Sequence, residues 1–318
     1  MSAGSSVCLI LNGKAAPRDD VRAAVRTVRE EGARVDVRVT WEGDDAERFA
    51  GQAAKEGFEV VVAGGGDGTV NAVVAGLVGH DGETERPPSL AVLPLGTAND
   101  LARACGISLD PLEALRLAQS GSSSLIDVGR ANGRAFVNVA TGGFGTHLTV
   151  ATPKELKKLL GGAAYLVTGL THFNCIRPER GRINGPGLAW EGAFFVLAVA
   201  NGRQAGGGHP LCPDALLDDG LLDVRVLPKL PDDELAQALR ALMRGDRDAV
   251  AHRIVNTRLP RLEIETEDVL QINLDGEPIS GTRFRFEVLP KRLAMKLPPD
   301  CPMLTAVDRR QERPGEGV

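Results

Sequence analysis

Residues Gly64-Gly65-Gly66-Asp67-Gly68-Thr69 combine a run of glycines with one carboxylate and one hydroxyl. Glycines let successive backbone N–H groups converge on an anion, and a helix N-terminus adds positive partial charge. Residues 60–63, Val-Val-Val-Ala, are short, β-branched and apolar, which predicts a buried parallel strand. Residues 70–77 predict a helix opening at or near Thr69. Strand, glycine loop and helix together predict a cradle for a polyphosphate. An aspartate in such a cradle repels phosphate unless it faces a bridging Mg²⁺ or orients a reacting hydroxyl. Asp67 therefore points to phosphoryl transfer rather than to binding alone. A simple tight turn is the competing reading of a glycine cluster. The dinucleotide pattern G-x-G-x-x-G fails here, because its last position falls on Thr69 or Asn71, and the Walker pattern is absent from the chain.

These residues must be held by a frame, and the chain supplies one. Residues 7–11 predict a first strand, and 17–31 a helix with Val21, Val25 and Val28 on one face and Gly32 as its stop. Residues 34–40 alternate with Val35, Val37 and Val39 on one side, 44–56 predict a second amphipathic helix closed by Gly57, and 90–93 a further buried strand. This βαβαβ order predicts a parallel, doubly wound sheet whose ligands sit beyond the carboxyl ends of the strands. Asn12, Thr40, the glycine loop and Gly96-Thr97-Ala98-Asn99-Asp100 all fall at such ends. That convergence favours the cradle over the plain turn.

The pattern changes near residue 125. Residues 125–131 and 134–140, separated by Asn132-Gly133, predict a hairpin with a type I′ turn. Runs at 192–200, 221–227, 261–265, 269–274 and 283–289 predict further strands. In the last of these Phe284, Phe286 and Val288 alternate with Arg283, Arg285 and Glu287. An antiparallel β-sandwich is expected, interrupted by helical stretches at 153–173 and 231–244. The expected division is an α/β domain over 1–128, a β-sandwich over 129–307 and a disordered tail over 308–318.

Composition bounds the function. The 318 residues suggest two domains, and 43% hydrophobic with 25% charged residues is ordinary for a soluble protein. A net charge of -5 argues against nucleic acid as a partner. No apolar run approaches the ~18–20 residues of a membrane span, and no signal peptide is evident, so a cytoplasmic protein is expected. Cys8, Cys105, Cys175, Cys212 and Cys301 are scattered and form no C-x-x-C, which argues against a disulfide framework or zinc site and fits a reducing cytoplasm. No G-x-S-x-G elbow supports a hydrolase.

The paired motifs at 64–71 and at 93–103, Leu-Pro-Leu-Gly-Thr-Ala-Asn-Asp-Leu-Ala-Arg, resemble the diacylglycerol kinase catalytic-domain family, most closely its YegS-like bacterial lipid kinases. Segments 9–14, 37–42, 140–146, 201–208, 273–278 and 297–302 extend the resemblance over nearly the whole chain. It implies an ATP-dependent kinase that phosphorylates a hydroxyl of a membrane lipid such as phosphatidylglycerol or diacylglycerol. It implies ATP contacts at Thr40, Gly66, Asp67, Gly68, Thr69, Val70, Asn71, Ala72 and Thr97. Glu277 matches the family's proton acceptor. Leu216, Asp219 and Leu221 match a cation site of two carbonyls and one carboxylate. Such all-oxygen ligation suits Mg²⁺, with Ca²⁺ the other hard ion of this kind. The family usually carries Glu where this chain has Ala72, so one carboxylate near the nucleotide is missing.

Each assignment has a plainer rival. Asp275-Gly276-Glu277 also reads as a β-turn, and Asp214, Asp218, Asp219 and Asp223 as a solvated loop. Residues 201–208 read either as a cleft wall or as a surface loop. A soluble small-molecule kinase of the NAD-kinase or phosphofructokinase type shares the Gly-Gly-Asp-Gly signature, and a non-catalytic nucleotide or lipid sensor is a further alternative. Peripheral membrane contact is expected at 153–173, where Lys154, Lys157 and Lys158 precede an apolar run.

Overall fold

The computed structural model describes residues 5–79, 87–143, 178–231, 234 and 253–305. The helical stretches expected at 153–173 and 231–244, the proposed membrane contact and the tail lie outside these residues, apart from Pro231 and Glu234.

The first lobe is built from β1 (Ser6–Leu11), α1 (Asp19–Glu30), β2 (Arg34–Val39), α2 (Asp45–Lys55), β3 (Val60–Gly65), α3 (Asp67–Val78), β4 (Ser89–Pro94), α4 (Asp100–Ala104) and α5 (Pro111–Ser120). The strands run parallel in the order β2-β1-β3-β4. Strand β3 is buried throughout, which explains its unbroken apolar run. Helices α1 and α5 cover one face of the sheet, where Val21, Val25, Val28, Ala114 and Leu115 pack on β1, β3 and β4. Helices α2 and α3 cover the other with Ala50, Ala53, Val73 and Val74. Each fully buried valine or leucine contributes roughly 1.5–3 kcal/mol of transfer free energy.

Both early glycine stops act as expected. Gly32 has φ +97°, Ala33 N–H donates to Val28 O at 2.9 Å and Gly32 N–H to Arg29 O at 3.1 Å, a Schellman ending for α1. Gly57, Phe58 and their acceptors on Ala54 and Ala53 repeat it for α2. The sequence pattern does not announce α5, although Asp110 caps it with bonds to Leu112 and Glu113 N–H and Pro111 occupies its first turn.

The second lobe comprises β5 (Ser123–Ala131), β6 (Arg134–Phe136), β7 (Val139–Gly143), β8 (Glu179–Gly185), β9 (Leu188–Ala200), the two-residue strands β10 (Gln204–Ala205) and β11 (His209–Pro210), β12 (Leu222–Pro228), β13 (Val255–Leu259), β14 (Arg261–Leu274) and β15 (Glu277–Lys296). Apart from one β15–β4 contact with the first lobe, its pairings are antiparallel. Strands β7 and β8 each bridge β9 to β14, around a core that includes Phe136, Phe194, Phe284 and Phe286. The alternation predicted for 283–289 is present, with Phe284, Phe286 and Val288 buried.

Several boundaries differ from expectation. The strand expected over 134–140 is broken at Val137 and Asn138, whose N–H groups donate to the Asp275 carboxylate instead of a neighbouring strand. The two runs at 261–265 and 269–274 form the single strand β14, with a register shift between Glu265 and Leu270. Strand β15 is twenty residues long and joins the lobes. It pairs with β14, then with β5, and Met295 meets Leu90 of β4 in parallel. The expected division after residue 128 falls inside β5.

Candidate active site

Helix α3 opens at Asp67, two residues before Thr69, because Gly66 already serves as its N-cap. Gly66 offers no side-chain cap; Thr69 N–H donates to Gly66 O at 2.9 Å, which leaves the N–H groups of Asp67 and Gly68 to another acceptor. Nothing lies within 4 Å of the position a Cβ on Gly68 would occupy. The first turn thus faces open space. Gly96 is required at its position: a Cβ on it would stand 2.4 Å from Gly66 Cα, and one on Gly66 would stand 3.2 Å from Gly96 Cα, so the β3 and β4 loops touch backbone to backbone. The β4 loop is held by Asn99, whose φ is +52° and whose amide both accepts from Gly96 N–H and donates to Gly96 O, at 2.8 and 2.9 Å.

A cleft of about 380 Å³ opens at the carboxyl end of the sheet. Thr40, Gly66, Gly68, Thr69, Ala72 and Glu277 line it, all of them singled out by the sequence. Asn12, Glu42, Gly43 and Ala46 complete the wall. Asn12 Nδ2 donates to Thr69 Oγ1 at 3.3 Å, and Gly13 N–H to Thr40 Oγ1 at 3.2 Å, so the ends of β1, β2 and β3 are tied together. Glu42, Gly43 and Ala46 were missed by the sequence reading, although the β2–α2 loop is where the topology directs a ligand. That loop is rigid: Asp45 accepts N–H bonds from Trp41 and Glu42 at 2.7 and 2.9 Å and pairs with Arg48. The two backbone bonds, then Arg48, hold the Asp45 carboxyl at about 2.

Four expected nucleotide contacts do not line this cleft. Val70 is 2% exposed and packs in the core, and its N–H is taken by Gly66 O. Asn71 is buried, its Oδ1 without a partner. Both follow from helical geometry, since residues three and four positions past Asp67 turn inward against the sheet. Thr97 is exposed on the β4 loop. Asp67 turns its carboxylate toward α4 and accepts from Leu101 N–H at 3.3 Å. Burial, and then the nearby Asp100, raise its carboxyl above the ordinary range.

Glu277 reaches the cleft from the second lobe. Asp275 and Gly276, with φ of +48° and +105°, form the tight turn between β14 and β15, and Glu277 is the first residue beyond it. Asp275 anchors this turn by accepting N–H bonds from Val137, Asn138 and Val139 at 2.7, 3.0 and 2.7 Å. Part of the residue still reaches solvent, but its carboxylate is enclosed by these donors, and burial pushes the carboxyl up to about 6 against their pull. The turn and the cleft readings of 275–277 are therefore compatible.

The loop at 201–208 is built into the frame. Asn201 is buried and donates to Asp127 O and Val137 O, each at 3.0 Å. Asp100 accepts N–H bonds from Gly207 and Gly208 at 3.1 and 2.6 Å. Nothing in the sequence pairs Asp100 with that loop.

The acidic stretch separates by role. Asp214 pairs with Arg225, Asp223 with Arg258, and Asp218 accepts from Thr305. Asp219 accepts from Leu221 N–H at 3.1 Å, with Arg258 at 3.8 Å, and its side chain is 13% exposed. Burial chiefly raises its carboxyl, Asp218 adds to the rise, and Arg258 opposes it. Leu216 and Leu221 flank it in the same loop. The Asp219 carboxylate and nearby carbonyls are hard-oxygen donors, but Arg258 stands beside Asp219, no three His, Cys, Asp or Glu side chains gather as a metal group among the described residues, and none of Leu216, Asp219 and Leu221 lines the cleft. Asp127 braces this loop by accepting from Gly220 and Lys291 N–H at 2.6 and 2.7 Å.

The profile of the diacylglycerol kinase catalytic domain matches residues 6–131, and that of the YegS C-terminal NAD kinase beta sandwich-like domain matches residues 140–297. The chain is 50% identical over 298 residues to a Pseudomonas aeruginosa (strain UCBPP-PA14) protein named "Probable lipid kinase YegS-like", covering 94% of this chain and 96% of that one. It is 48% identical over 301 residues to a protein of the same name from Xanthomonas euvesicatoria pv. vesicatoria (strain 85-10), covering 93% and 97%. Its fold is similar to the crystal structure of a diacylglycerol kinase from Bacillus anthracis str. Sterne, with a TM-score of 0.71 at 23% identity over 95% of this chain and all of that one.

Proposed function

For a chain that belongs to the diacylglycerol kinase catalytic-domain family, in its YegS-like branch, we propose the following division of labour at the cleft. The protein is an ATP-dependent lipid kinase, a phosphotransferase with an alcohol group as acceptor. ATP enters at the carboxyl end of the parallel sheet, with its phosphates against the N–H groups that open α3. Each charge-assisted hydrogen bond there is worth about 1.5–3 kcal/mol. Thr40, Gly66, Gly68, Thr69 and Ala72 form the wall, and the small Ala72 leaves room where the family carries a carboxylate. Asp67, Val70, Asn71 and Thr97 act through the backbone or by holding the loops in place.

The lipid hydroxyl approaches from the second lobe, and Glu277 accepts its proton. The hydroxyl oxygen bonds to the γ-phosphorus, the bond from that phosphorus to the bridging oxygen breaks, and ADP departs with the electron pair. A divalent cation, Mg²⁺ by the hardness of the donors, supplies charge neutralisation when bound. Leu216 and Leu221 carbonyls with the Asp219 carboxylate would hold such an ion. No helix among the described residues is long and apolar enough to cross a membrane, so a bilayer acceptor implies peripheral contact.

One observation carries the reading: Glu277 of the second lobe shares a cleft with Gly66, Gly68 and Thr69 of the first. The test is transfer of radiolabelled γ-phosphate to phosphatidylglycerol, diacylglycerol and ceramide in mixed micelles. Label in a lipid, dependent on Mg²⁺, is expected. Label only in soluble acceptors would replace the lipid with a small molecule.

A further inference from the structure

A second concavity lies on the α1 side of the sheet, outside the nucleotide cleft. Its volume is about 730 Å³, and Leu11, Val21, Val25, Val37 and Val39 form an apolar floor. It exists because β2 is an edge strand that α1 covers incompletely: Val39 remains 44% exposed. Arg22, Arg26 and Arg29 stand on its rim with a single carboxylate, Glu30. Their spacing of four and three residues places them on one face of α1. Arg22 and Arg29 donate to the carbonyls of Ala16 and Val35, contacts that orient the guanidinium groups without neutralising them. Among the described residues no carboxylate forms an ion pair with any of the three, whereas Arg18, Arg38, Arg48 and Arg116 of the same lobe all have one. An apolar trough rimmed by arginines that no carboxylate neutralises complements acyl chains below anionic headgroups.

We propose that this α1–β2 face docks the protein on bilayers of anionic phospholipid, with the groove taking acyl chain and Arg22, Arg26 and Arg29 taking headgroup phosphate. It rests on the lipid-kinase reading only for why a bilayer must be met. The surface is separate from the acceptor site, because Leu11 and Val39 face the groove while their neighbours Asn12 and Thr40 face the nucleotide cleft.

The test is sedimentation with vesicles of phosphatidylglycerol and phosphatidylcholine in equal parts, and with phosphatidylcholine alone, at low salt and without nucleotide. The variants are Arg22→Gln/Arg26→Gln and Val39→Asp, checked for folding by circular dichroism. The double variant should lose about thirtyfold in partitioning to the anionic vesicles, from about 1 kcal/mol for each basic residue at such a surface. Val39→Asp should lower partitioning too, and turnover of a short-chain, monomeric lipid alcohol should stay unchanged in both. Partitioning equal to wild type in both variants, or wild-type binding with no preference for the anionic vesicles, would overturn the proposal. So would a wild-type dimer in the ultracentrifuge that Val39→Asp dissociates while no vesicle is bound, which assigns the groove to a second copy. If the vesicle difference holds while no lipid is phosphorylated, the kinase reading fails and the docking face stands.

Discussion

At the residue scale the cleft separates residues open to its interior from those that only hold its walls in place. Gly68 shows the distinction. A Cβ there meets nothing in the protein, so Gly68→Val leaves the fold intact and projects into the cradle. Calorimetry should show ATP affinity reduced at least tenfold while the thermal midpoint is retained; unchanged affinity would move the phosphates elsewhere. Glu277 is exposed at the cleft wall, so Glu277→Gln changes the chemistry without leaving a buried hole. Turnover on the lipid acceptor should fall roughly 10²–10⁴-fold, with ATP affinity nearly kept. Wild-type turnover in that variant would falsify its role as base.

At the element scale, the loops after β3 and β4 function as one unit. Gly96→Ala places a methyl group 2.4 Å from Gly66 Cα and 2.9 Å from Asn99 Oδ1. Overpacking of this kind costs about 1–3 kcal/mol. Urea denaturation should register that loss in Gly96→Ala, whereas Gly68→Ala should be neutral or stabilised by up to ~1 kcal/mol. The β14–β15 turn that presents Glu277 depends on Asp275 in a comparable way. Its carboxyl is raised from 3.8 to about 6, so the folded state holds the proton more tightly than the unfolded chain. That contribution is present below about pH 4 and is lost as pH rises through about 6. Asp275→Asn cannot titrate, so the stability of wild type relative to this variant should decline between those limits. A wild type that instead gains on the variant as pH rises would mean that the three N–H bonds outweigh burial.

At the scale of the whole molecule, the two lobes are joined by β15 and by the Asp100 bonds to Gly207 and Gly208, while Asp127 braces the loop of Leu216, Asp219 and Leu221 against β5 and β15 within the second lobe. Leu217 of that loop packs in a core shared with Val61 and Val73 of the first lobe, so the cation proposed there would sit near the seam between the lobes. Asp219→Ala removes the one side chain proposed to hold it and should raise the Mg²⁺ concentration for half-maximal activity several-fold. The same titration curve as wild type would leave Asp219 a loop residue without a role in turnover. Coupling through a rigid strand also explains how Glu277, more than two hundred residues from Gly68 in sequence, shares its cleft.

The sequence alone determined what depends on local periodicity and local backbone demands. The strand–glycine loop–helix unit, the glycine stops of α1 and α2, the Asn132-Gly133 turn and the alternation of 283–289 each follow from a few neighbouring residues. Their common position at strand ends made most of the cleft wall legible, since a parallel sheet directs ligands there. Tertiary structure alone decided which face of α3 lines the cleft, and so sent Val70 and Asn71 into the core while leaving Ala72 in the wall. It decided that the 134–140 run breaks, because a carboxylate 137 residues away in sequence competes for the N–H of Asn138. It decided that two strand signals fuse into β14 and that β15 outruns its pattern, since pairing partners rather than side-chain alternation set strand length. It also exposed the arginine-rimmed groove, which arises from a sheet edge left half-covered. Contacts of this kind join residues distant in the chain, and no local pattern of residue types encodes them.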